Sequence, residues 1–203
     1  MAAQNVYLFV FNTLADWEPG FAIAGMNNPA YQVQPGRFQV RTVGVSREPV
    51  TTVGGVKILP DFTLDEIEPT GSALLILPGG SGWEKGEQSE AIEKARQFLA
   101  AGVPVAAICG ATAGLALGGL LDTRQHTSNL PVFLESTGYR GAHLYQNSPA
   151  VTDQNVITAG AVAPVDFAYQ IFKLLGVYSP ATLEAWYGLY KTGDPTYFFK
   201  MAQ

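Results

Sequence analysis

A chain of 203 residues, 47% hydrophobic, 14% charged and net -5, suits one domain of ordinary size with few charges to spare for its surface. It carries no Lys/Arg run to hold a nucleic acid and no apolar stretch near the ~20 residues of a membrane span. A single cysteine excludes an intrachain disulfide, and Met1 to Asn5 lack the basic start of a secretory leader, so a cytoplasmic protein is expected.

The elements follow in chain order. Val6 to Phe11 is a short apolar run of strand formers, ahead of Asp16-Trp17-Glu18. Pro19 to Met26 predicts a helix with proline in its first turn. Phe38 to Val45 alternates as a second strand. Val50 to Pro60 reads as an edge hairpin around Gly54-Gly55, and Asp61 to Glu68 as a short helix. Ala73 to Leu77 is a buried strand ended by Pro78-Gly79-Gly80. Glu87 to Ala101 has a helical stripe of Ile92, Ala95, Phe98 and Leu99. Val103 to Ile108 is again a buried strand, and Gly110 to about Leu120 a helix. Arg124 to Ser128 and Val156 to Ala159 predict strands, Val165 to Leu175 and Ala181 to Tyr190 helices. One domain spans residues 1–203, with 177–203 a helical, aromatic extension ending in Tyr197-Phe198-Phe199.

Strands that are continuous apolar runs alternate with helices, which predicts a mostly parallel sheet covered on both faces, an α/β sandwich. In such sheets chemistry gathers at the carboxyl ends of strands. Three ends stand out: Asp16-Trp17-Glu18, Pro78-Gly79-Gly80 and Cys109-Gly110. A thiol between a buried strand and a small-residue helix has the pattern of a nucleophile elbow. The helix N-terminus is expected to stabilise its thiolate. Backbone N–H groups of Gly79 and Gly80, with that of Gly110, offer an oxyanion hole. Glu18 or Asp16 offers a carboxylate to move the proton.

These segments resemble the ThiJ/PfpI superfamily, the group of the Parkinson-disease protein deglycase and the intracellular proteases. The likeness rests on the strand with Asp16-Trp17-Glu18, on Ile76-Leu77-Pro78-Gly79-Gly80, and on Ala106-Ala107-Ile108-Cys109-Gly110. Gly119 to Ser128 and Asn155 to Gly160 extend it, so that it runs from about residue 5 to 176. The resemblance implies a flavodoxin-like three-layer sandwich of the class I glutamine amidotransferase-like kind. It implies Cys109 as the reactive thiol, Glu18 as its acidic partner, Gly80 and Gly110 as backbone donors, and a homodimer. Low charge and an aromatic tail also leave surface to be covered.

Two positions depart from the pattern. Gly110 stands where the protease branch has a histidine, and Asn129 where the deglycase branch has one. The remaining histidines are His126 and His143. On a strand His126 would face away from Thr127 and Asn129, which makes it a structural residue by parity. The pattern therefore leans to a Cys–carboxylate dyad, somewhat like isonitrile hydratases. Asp16, Trp17, Gly79, Thr112 and Asn129 are candidate pocket residues. Asp16 has the plainer reading of a helix-terminal charge, and Thr112 of a bond to backbone. Trp17 and Trp83, the latter after Gly82, each read either as a pocket wall at the active end of the sheet or as a core or interface aromatic. No His/Cys/Asp/Glu spacing suits a metal, and Gly79, Gly80 and Gly82 lack the dinucleotide pattern, so no cofactor is expected. The expected function is a cysteine-dependent hydrolase or lyase of small carbonyl or amide-like substrates: amidase, glyoxalase/deglycase or isonitrile hydratase-like. The alternative is a non-enzymatic oxidative-stress sensor or chaperone using the same cysteine.

Overall fold

The computed structural model describes residues 3–201. Its centre is a seven-stranded sheet: β1 (Gln4–Phe9), β2 (Phe38–Gly44), β5 (Phe62–Thr63), β6 (Ser72–Leu77), β7 (Val105–Ile108), β8 (Ala150–Asp153) and β9 (Val156–Ala159). Their order is β5-β2-β1-β6-β7-β9-β8, parallel throughout except for β8 against β9. All residues of β7 and β9 are buried, as is all of β6 beyond Ser72, which is why these strands read as unbroken apolar runs. Helices α1 (Trp17–Asn27) and α5 (Pro164–Leu175) pack together over one face. Helices α2 (Ser89–Ala100) and α3 (Gly110–Leu117) pack together over the other. The result is the flavodoxin-like three-layer sandwich. Among the described residues no helix is long and apolar enough to cross a membrane.

The structure corrects several expected elements. Arg124 to Ser128 is not a strand; only His126 makes an isolated bridge, to Tyr145. The reason lies in β9, whose two edges are already taken by β7 and by β8, an unexpected strand that turns back through Gln154 and Asn155. Side chains satisfy the 124–128 backbone instead: Asp153 accepts from the Gln125 N–H at 2.7 Å, and Thr158 Oγ1 from the Thr127 N–H at 2.9 Å. The 50–60 hairpin exists, but β3 (Val50–Thr51) and β4 (Lys57–Ile58) form a separate two-stranded sheet. The 61–68 segment holds the edge strand β5 and one 3-10 turn, Leu64–Glu66, in place of a helix. A short helix, α4 (Pro131–Glu135), follows Leu130 with proline at its start.

The C-terminal part is two helices, α6 (Pro180–Thr192) and α7 (Thr196–Met201). Ser179 caps α6 by accepting from the Thr182 N–H at 3.2 Å. Trp186 meets Phe172 of α5 edge-on, with ring centres 5.0 Å apart, so α6 is anchored to the sandwich by aromatic burial.

Candidate active site

The carboxyl ends of β1, β6 and β7 are neighbours in the sheet, so the three segments singled out in the sequence meet. Cys109 follows β7 at φ 58° and ψ −124°, a left-handed backbone that costs a non-glycine residue roughly 1–3 kcal/mol. Surrounding bonds hold it there. Its N–H donates to the Ala159 carbonyl at 3.0 Å. Its carbonyl accepts from the Thr112 hydroxyl at 2.6 Å. Thr112 is fully buried and its hydroxyl also meets that of Ser128 at 2.6 Å. Thr112 therefore braces the turn and does not line a pocket.

Glu18 lies in the first turn of α1 and is 1% exposed. Its Oε2 accepts from the Gly79 N–H at 2.6 Å, while its buried Oε1 has no hydrogen-bond partner. A Cβ on Gly79 would stand 2.6 Å from Glu18 Oε2 and 2.7 Å from Cys109 Cβ. Only glycine fits between acid and thiol. Burial pushes the Glu18 carboxyl up, against the Gly79 bond and the interaction with Cys109, which lower it. Burial, followed by the Glu18 charge, pushes the Cys109 thiol up to about 11. This reverses the expectation of a thiolate stabilised by the helix N-terminus. The Gly110 N–H does pull the thiol down, but desolvation and the carboxylate outweigh it.

Gly80 has φ 156°, and a Cβ there would meet the Thr13 carbonyl at 2.6 Å and the Phe11 ring at 2.7 Å. Its backbone packs on Gly110, whose added Cβ would lie 2.9 Å from the Gly80 carbonyl. The Gly80 N–H has no hydrogen-bond partner among the described residues. The Gly110 N–H lies by the sulfur and lowers its pKa. Asn129 supplies a second donor: its Nδ2 donates towards Cys109 Sγ at 3.6 Å. Its Oδ1 accepts from the Ala161 N–H at 2.8 Å, and this fixes which end of the amide faces the thiol. Sequence reasoning marked Asn129 only as a pocket residue. No local signal joins it to Ala161.

The other expected residues fall elsewhere. Asp16 accepts from the Gly54 N–H at 2.7 Å and ties the β3–β4 turn to α1; it does not face the thiol. Its carboxyl is held below the usual range, chiefly by a hydrogen bond from Thr52. Trp17 is 54% exposed on the surface beside Glu18. Trp83 is core, packed against Phe9 and Phe11 with its indole N–H on the Pro78 carbonyl at 3.1 Å. His126 is fully buried, with Nδ1 at 2.7 Å from the Arg124 carbonyl and Nε2 at 3.0 Å from the Tyr139 hydroxyl. His143 is exposed. No imidazole reaches the sulfur. Among the described residues no three His, Cys, Asp or Glu gather as metal ligands.

Residues 4–174 match the model of the DJ-1/PfpI family. The chain belongs to that family. It is 43% identical over 204 residues to the uncharacterized protease YoaZ of Bacillus subtilis, covering 99% of this chain and 97% of YoaZ. It is 30% identical over 142 residues to the glutathione-independent glyoxalase DJR-1.2 of Caenorhabditis elegans, covering 69% of this chain and 75% of that protein. Among solved structures, the thiJ/pfpI family protein from Bacillus anthracis superposes with a TM-score of 0.91 at 42% identity, covering 100% of this chain and 97% of that one. The family match ends within α5, so α6 and α7 lie outside it.

Proposed function

We propose that this protein is a cysteine-dependent hydrolase or lyase of small carbonyl or amide-like substrates, with Cys109 as nucleophile and Glu18 as the sole proton carrier. The observation that supports this most is the buried Glu18 carboxyl, one oxygen bonded to Gly79 and the other unpartnered beside a strained thiol. Both groups are pushed up, so the pair retains a proton at neutral pH and passes it internally. In the forward step the S–H proton moves to Glu18 as sulfur bonds to the substrate's electrophilic carbon. The carbon–oxygen or carbon–nitrogen π electrons move onto the heteroatom. The N–H groups of Gly80 and Gly110 and the Asn129 amide receive that charge. Glu18 then returns the proton to the heteroatom or leaving group. A carboxyl raised towards neutrality suits both halves of this exchange. Asn129 carries no transferable proton, so the reaction is run by a dyad. The active form is proposed as a cytoplasmic homodimer.

A screen of amides, methylglyoxal and isonitriles tests the reading. Turnover is expected to fall at least about a thousandfold in Cys109→Ser and about a hundredfold in Glu18→Gln. Turnover that survives Cys109→Ser overturns it. One second reading has its own support. A protonated Glu18 could donate Oε1–H to a sulfinate formed when peroxide oxidises Cys109 and is itself reduced to water. Peroxide treatment followed by mass spectrometry separates the two. A sensor stops at sulfinate with no Cys109-dependent turnover, whereas a catalyst turns over and is inactivated by oxidation.

A further inference from the structure

A cleft of about 450 Å³ opens beside Asn129, the residue whose amide touches the sulfur. Its apolar rim includes Leu130, 62% exposed, and Val162, 97% exposed. Exposed apolar side chains around a concave wall are surface that a ligand can cover. Part of the wall comes from outside the family domain: Lys191, on α6, lines the same cleft. Lys191 does not hang free. Its Nζ lies 2.7 and 3.0 Å from the two oxygens of Asp166, which is 7% exposed and also receives the Tyr187 hydroxyl at 2.8 Å. A lysine ammonium has three donors. Two are spent on Asp166, and the side chain remains 42% exposed. One N–H is left for the cleft.

We propose that this cleft is the substrate's recognition site and that Lys191, supplied by the C-terminal extension, determines specificity by donating its remaining N–H to an uncharged acceptor, a second carbonyl or amide oxygen. The proposal deepens the dyad reading and rests on it, since it places that acceptor on a molecule attacked by Cys109. The uncharged class follows from the neighbours. Asp166 balances the Lys191 charge, so a carboxylate would bring an unmatched negative group against a buried one, while a neutral oxygen accepts without upsetting the pair. Apolar substituents would lie on Leu130 and Val162.

Thiol alkylation tests this without needing turnover. The full chain is reacted with iodoacetamide, iodoacetyl-glycinamide and iodoacetyl-glycine, and Cys109 adducts are timed by mass spectrometry. Relative to iodoacetamide, the glycinamide probe is expected to react about fivefold faster, the worth of one hydrogen bond, and the carboxylate probe no faster. Lys191→Met combined with Asp166→Asn, which leaves no unpaired buried carboxylate, is expected to bring the glycinamide ratio to about one. Lys191→Arg, which keeps a donor, is expected to retain most of it. Val162→Trp fills the cleft from an exposed position and is expected to abolish the ratio without disturbing the fold. Equal rates for the two neutral probes in the native chain overturn the proposal, as does a preference that survives either the double variant or Val162→Trp. A clear preference with no turnover of any screened substrate would keep the cleft and reject the dyad enzyme.

Discussion

His126 is buried and Cys109 half-buried, and the surroundings of these two titratable side chains are built to opposite ends. Both ring nitrogens of His126 have partners: the Arg124 carbonyl takes one and the Tyr139 hydroxyl the other, and the Tyr139 and Tyr145 rings close on the imidazole edge-on. Burial holds its pKa down, and nothing is left over for a ligand. Around Cys109 the backbone is strained, an oxygen of Glu18 is orphaned, and the Gly80 N–H is unspent. Buried polar groups without partners are costly. Here the unpartnered oxygen belongs to the acid packed against Gly79 and Cys109. The contrast is between a histidine engaged through both ring nitrogens and a half-buried cysteine on strained backbone beside an acid with an unpartnered oxygen.

The sharpest way to break this contrast is to exchange the penalties. Cys109→Ser is expected to remove turnover while leaving stability nearly unchanged, and His126→Asn to lower stability while sparing most turnover. Denaturant unfolding and the substrate screen, run on both, decide it. Equal losses of turnover would place His126 in the chemistry after all.

Next in size, Gly79→Ala forces a methyl between Glu18 and Cys109 and is expected to cost about 2 kcal/mol of stability together with most of the activity. A silent Gly79→Ala would mean that acid and thiol are not held as tightly as their spacing implies.

The pH dependence gives a subtler test. Folded Glu18 holds its proton more tightly than it does in the unfolded chain. Its contribution is thus fully present below the ordinary glutamate range and is lost as pH rises through the raised folded value. Cys109 acts in the same sense at alkaline pH, between its ordinary value near 9.0 and about 11. Glu18→Gln has no such proton, so its unfolding free energy is expected to decline less than the native chain's from acid to neutral pH. The same variant removes a negative charge beside the sulfur. The midpoint of its iodoacetamide pH–rate curve is expected below that of the native protein. An unmoved midpoint would show that the Glu18 charge does not reach the thiol.

Smallest is Tyr139→Phe, which strips one partner from His126 and is expected to cost about 1 kcal/mol of stability with turnover unaffected.

Much of this site is legible in the chain itself. Continuous apolar runs mark β1, β6, β7 and β9, because strands buried on both faces admit no polar alternation. Small residues after Cys109 mark the elbow, and the acidic and glycine-rich ends of β1 and β6 mark its neighbours. The likeness to the family rests on those same segments. Local pattern could not disclose β8, because its partner edge is chosen by the finished sheet, and that choice is also why 124–128 is no strand.

By itself, then, the sequence determined the layered α/β class, the strand ends and the identity of the thiol, since each is written in short-range periodicity and turn chemistry. Only the tertiary structure decided the rest: Oε1 of Glu18 is left unpartnered, Asn129 is aimed by an N–H 32 residues away, and Lys191 reaches the cleft from the extension. It also reversed the thiol's pKa, because desolvation and a buried neighbouring charge depend on everything packed around a group and not on the residues beside it in the chain.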